Sequence, residues 1–97
     1  MRHFVFMKLS PGRFDEAAER DYRATFQALR AALPDDILAC RVVRNTTERP
    51  QNMDVMIEMT LAGPDSLARY LEHPLHRAIG ARYAPDIIQI ASFDCEE

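Results

Sequence analysis

A chain of 97 residues with a formal net charge of -3 has room for a single domain, residues 1–97. Apolar residues make up 47% and charged residues 28%, a balance that folds rather than stays disordered. The mild acidity and scattered arginines, with no aromatic platform between them, argue against nucleic acid, and no apolar run approaches the ~20 residues that cross a bilayer.

Residues 3–9, HFVFMKL, are aromatic, apolar and nearly free of polar groups. They read as a strand buried on both faces. The N-terminus lacks a small-residue cleavage site and passes straight into this strand, so it is not read as a signal peptide. Ser10-Pro11-Gly12 breaks the pattern. A helix follows, with Asp15 and Glu16 in its first turn, where the helix dipole favours anions. Phe14, Ala18, Tyr22, Phe26, Leu29 and Leu33 recur at helical spacing and mark its apolar face. Pro34 ends it, because the residue before proline avoids the α region.

Residues 37–45, ILACRVVRN, form a second strand, and Thr46 to Asn52 a polar loop. In residues 53–61, Met53, Val55, Ile57, Met59 and Leu61 point one way; Asp54, Met56, Glu58 and Thr60 point the other. Gly63-Pro64 opens a second helix with proline at its first position. Leu67, Tyr70 and Leu71 form its inner stripe. Pro74 interrupts it, a short helix carries Leu75, His76, Ile79 and Tyr83, and Pro85 stops that. Residues 86–95, DIIQIASFDC, are the last strand.

The order βαββαβ with two right-handed crossovers predicts an α+β fold, a four-stranded antiparallel sheet with its helices on one face. The other face would carry Phe4, Phe6 and Met56 or the alternate set. Lys8 and Glu58 share the first set and are expected to pair across strands. So large an apolar face does not stay in water. A second copy packed sheet on sheet covers it, which predicts a homodimer.

The stretch Tyr70-Leu71-Glu72-His73-Pro74-Leu75-His76 is either a reactive site, a metal clip or punctuation between two helices. His73 and His76 are spaced more closely than the usual H-x3-5-H ligand pair, and no third ligand is signalled, so no metal is expected. Cys40 and Cys95 lack CxxC spacing. They read as half-buried hydrophobes and suit a reducing, cytoplasmic setting. His73 reads as a helix-joint residue with its ring in solvent. For His76 two readings stand: a helix-start histidine bonded to fix the joint, or a general base in the pH range where imidazole titrates. Tyr70 is either a core tyrosine or a donor to a substrate carbonyl.

His3-Phe4-Val5-Phe6-Met7-Lys8, Val43-Arg44-Asn45, Asp54 to Met59, Tyr70-x-x-His73-Pro74-x-His76 and Phe93-Asp94 together resemble the stress-responsive dimeric α/β barrel (Dabb) family over nearly the whole chain. The resemblance implies a ferredoxin-like sheet pairing into a dimeric barrel. Many bacterial members have no assigned activity. One plant branch contains cofactor-free polyketide cyclases, in which a tyrosine and a histidine of this element act on the substrate and a last-strand aspartate orients the histidine. Carried over, the catalytic set is His76, Tyr70 and Asp94, with Asp94 accepting from His76, and no cofactor. His3, Phe26, Val55 and Ile79 would line the hollow. The third-strand histidine of that branch is replaced here by Met53-Asp54-Val55. The implied ligand is a small carbonyl or polyketide-like compound. The alternative is a non-catalytic binding or structural protein in which Tyr70, His76 and Asp94 only fix the helix joint.

Overall fold

The computed structural model describes residues 1–96. The elements run β1 (Arg2–Leu9), α1 (Glu16–Ala32), β2 (Ile37–Arg44), β3 (Val55–Leu61), α2 (Pro64–Glu72), α3 (Pro74–Tyr83) and β4 (Ile87–Cys95), with a 3-10 turn at Ala84–Asp86 before β4. The sheet order is β2-β3-β1-β4, every neighbouring pair antiparallel. This is the ferredoxin-like arrangement.

Local chemistry sets the helix ends. Asp15 is extended, and its carboxylate accepts from the Ala18 N–H at 2.9 Å, satisfying a donor the helix leaves free. Tyr22, Phe26 and Leu29 of α1 are buried. Between α2 and α3, His73 is extended, as a residue before proline must be, and serves both helices. Its Nδ1 accepts from the Leu75 N–H at 3.1 Å. The ring is therefore a working cap rather than a free solvent group.

A clamp of buried Asp36 and Ser66 with exposed Arg69 fixes α2. Asp36, in the turn before β2, accepts from Ser66 Oγ at 2.8 Å and from Arg69 Nε and Nη2 at 2.9 and 2.8 Å. The Arg69 guanidinium, helped by Ser66, holds the Asp36 carboxyl below the usual carboxylate range. Arg69 adjoins Tyr70, so this clamp also places Tyr70.

The sheet divides cleanly by side-chain parity. His3, Met7, Leu9, Val55, Ile57, Met59 and Leu61 are buried beneath the helices. On the other face Phe4 lies against Phe6 and Phe93, with ring centroids 6.3 and 6.2 Å apart. Strand β1 is thus sealed on one face only within a single chain, not on both. Lys8 does not meet Glu58. Glu58 stands opposite Phe4, and Arg2 and Arg41 hold its carboxylate. Lys8, four residues further along β1 and so ~13 Å away, donates to the Asn52 carbonyl. β3 begins at Val55 rather than at residue 53, because Asp54 turns its carboxylate onto the Leu9 N–H at 2.7 Å. On α2 it is Ser66 and Tyr70 that are buried, whereas Leu71 is exposed.

Candidate functional site

Helices α2 and α3 do not close fully onto β1 and β4. A hollow of about 360 Å³ remains between them, at the lower end of the ~300–1,000 Å³ typical of small-molecule sites. Its walls are mostly apolar: Val5, Met7, Phe26, Ile57, Leu67, Ile79, Tyr83 and Ile90 among them. One end is polar. His3, Tyr70, His76 and Asp94 all reach the hollow there. Among the described residues, no lysine or arginine lines it.

The two imidazoles flank Tyr70. His3 and Tyr70 lie edge to face with centroids 5.4 Å apart, and Tyr70 and His76 likewise at 4.5 Å. Burial, then the charges of Cys40 and Asp94, pushes the Tyr70 phenol well above its ordinary value, so it stays protonated and can donate. Burial also lowers the His76 ring. A hydrogen bond to the Leu71 carbonyl at 3.1 Å opposes this, and His3 adds to it. Cys40 is a poor thiolate source, since burial pushes it up to about 11.

The wiring departs from the expected one. Asp94 accepts from Nδ1 of His3, not from His76. Strand register dictates this: His3 and Asp94 are direct partners across the β1–β4 ladder, both on the helix-facing side. His76 Nδ1 instead turns back to Leu71 of its own helix joint. The other His3 nitrogen, Nε2, is buried and has no hydrogen-bond partner among the described residues.

Of the residues expected around the hollow, His3, Phe26 and Ile79 line it together with Tyr70, His76 and Asp94. Val55 does not. It sits on the helix side beside Met7, sealed at 2% exposure, and Ile57 takes the wall position on β3. Val5, Met7 and Ile57 were not singled out by the sequence, although the alternation of β1 and β3 already put them on the face shared with His3. Among the described residues no group of three or more His, Cys, Asp or Glu side chains could hold a metal ion, and no helix is long and apolar enough to cross a membrane.

The profile of the stress responsive A/B barrel domain, Dabb, matches residues 1–97. The chain belongs to this family. A Dabb-length relative, the uncharacterised protein SCO4036 of Streptomyces coelicolor, is 34% identical over 79 residues, 80% of each chain. A dimeric ferredoxin-like protein of unknown function from Thermobifida fusca superposes with a TM-score of 0.76 at 22% identity, covering 95% of this chain and 85% of that one. The hydroxynitrile lyase of Passiflora edulis superposes with a TM-score of 0.78 at 14% identity, covering 99% and 93%. At these identities the two structures establish the Dabb chain's fold alone.

Proposed function

We propose that this Dabb protein is a cofactor-free enzyme that moves a proton alpha to the carbonyl of a small neutral compound, in the manner of polyketide-cyclase aldol chemistry. One observation carries the reading: imidazole and phenol groups converge on one end of an otherwise apolar hollow. The protonated Tyr70 hydroxyl donates to the carbonyl oxygen as enolate charge develops. A neutral imidazole takes the proton. The absence of cationic side chains from the lining favours a neutral β-dicarbonyl compound over a phosphate or carboxylate. That a hydroxynitrile lyase shares the fold supports small-molecule chemistry in it.

The working unit in this reading is a cytoplasmic homodimer. Phe4, Phe6 and Phe93 form an apolar surface on the sheet face away from the helices, with Phe93 59% exposed in the single chain. A second copy gives that surface an apolar partner. That the Thermobifida fusca protein is dimeric supports a dimer here.

A second reading has its own observation. His76 bonded to Leu71 and His73 capping α3 both brace the joint between α2 and α3. In a non-catalytic, stress-associated binding or structural protein, this bracing would be their whole role.

Titration with 1-phenylbutane-1,3-dione, followed by NMR, tests the proposal. Catalysis predicts shifts confined to residues of the hollow and deuterium uptake at the central carbon faster than in imidazole buffer of equal concentration. Binding without uptake favours the second reading. Neither response ends the enzymatic one.

A further inference from the structure

Building on the proton-transfer reading, we infer that the base is His3, positioned by Asp94, and that His76 is an auxiliary group at the same end of the hollow. Three observations lead there. First, a carboxylate only accepts, so Nδ1 of His3 carries the hydrogen in the Asp94 contact. The neutral ring then has a bare lone pair on Nε2. Second, Nε2 is buried and unpartnered in a residue only 4% exposed, yet that residue lines the hollow. A buried polar atom without a partner is costly, and a ligand that supplies one gains accordingly. Third, His76 spends its Nδ1 on the Leu71 carbonyl, and among the described residues no carboxylate bonds to its ring to stabilise an imidazolium. Asp94, which could have served it, belongs to His3.

The step balances simply. Nε2 of His3 takes the proton from the carbon alpha to the carbonyl, the C–H electron pair becomes the C=C bond of the enolate, and the carbonyl π pair moves onto oxygen. The Tyr70 hydroxyl donates to the enolate oxygen. The imidazolium is stabilised by Asp94, which keeps its hydrogen bond to Nδ1 and does not itself take the proton. Return of the proton, or of a solvent deuteron, regenerates the neutral ring. The ring is sealed from bulk water, so the arriving ligand displaces whatever covers Nε2.

The test compares deuterium uptake by 1-phenylbutane-1,3-dione in wild type, His3→Asn, His76→Asn and Asp94→Ala. The His3→Asn side chain keeps an N–H near the Nδ1 position for Asp94 and deletes Nε2. Loss of roughly 100-fold or more in His3→Asn, the scale of a general base, with less than about 10-fold in His76→Asn, supports the assignment. Loss in His76→Asn with activity kept in His3→Asn overturns it while leaving the proton-transfer reading intact. No uptake in wild type sinks both. ¹⁵N spectroscopy of the histidine rings reads the wiring without turnover. His3 is expected as the Nδ1–H tautomer in wild type, with that preference lost in Asp94→Ala, and an Nε2–H tautomer in wild type contradicts the proposal.

Discussion

His3 and Asp94, 91 positions apart in the chain, are direct cross-strand partners joined through Nδ1 and a carboxylate oxygen. Their coupling is measurable in stability. A double-mutant cycle on His3→Asn and Asp94→Ala is expected to give an interaction energy of about 0.5–3 kcal/mol. The same cycle on His76→Asn and Asp94→Ala should fall within about 0.5 kcal/mol of additivity. The reverse ranking, by denaturant unfolding, would restore the wiring expected from the sequence.

His76 should make stability fall in mild acid. Its folded value lies below 6.5, with burial the largest cause. As pH drops through 6.5 the unfolded chain takes up the proton first, so protonation favours unfolding. The contribution is complete above 6.5 and is lost as pH falls through the folded value. NMR titration should place the ring's midpoint below 6.5, and His76→Gln should flatten the decline in melting temperature over that window. A midpoint above 6.5 refutes this.

Tyr70→Phe separates chemistry from packing. The ring contacts to His3 and His76 survive, and only the hydroxyl is lost. Turnover of a β-dicarbonyl substrate should fall by ~10²–10³-fold, the scale of one lost donor to a developing oxyanion, with the melting temperature nearly unchanged. Unaltered turnover would reduce Tyr70 to a packing residue.

Phe93→Asp should disperse the proposed dimer. It places a charge on the apolar sheet face beside Phe4. Sedimentation at ~10 µM is expected to show a dimer for wild type and a monomer for the variant. A monomeric wild type removes the reason for the pairing.

The Asp36 clamp gives a second acid-sensitive element. Its carboxyl is depressed by Arg69 and Ser66, so its contribution is present above 3.8 and is lost as pH falls through the still lower folded value. Asp36→Asn should loosen α2. The NMR signals of Tyr70 are expected to shift in that variant, although position 36 does not line the hollow. An unshifted Tyr70 would separate the clamp from the site.

The sheet was legible in the sequence because alternation and helical periodicity are local signals. Met56 and Glu58 against Ile57 and Met59 sort the faces of β3 without any knowledge of neighbours. Pro74 marked the α2–α3 joint for the same reason. The site was legible only in part. His3, Tyr70, His76 and Asp94 could each be named, but the partner of Asp94 depends on how β1 lies against β4, a long-range pairing with an irregularity at Lys8/Leu9 that no residue announces. Val55 was placed on the correct face at the wrong depth, since periodicity gives direction and not position along the strand. Lys8 failed as a partner for Glu58 on the same ground.

Successive residues of β4 serve opposite sides of the sheet: Phe93 meets Phe4 outside, and Asp94 meets His3 inside. Sliding that strand by a single residue would exchange them, driving a benzyl group into the chamber and a carboxylate onto the greasy exterior. The proposed self-association and the proposed proton chemistry are therefore indexed by one ladder of amide hydrogen bonds, and neither can drift without spoiling the other.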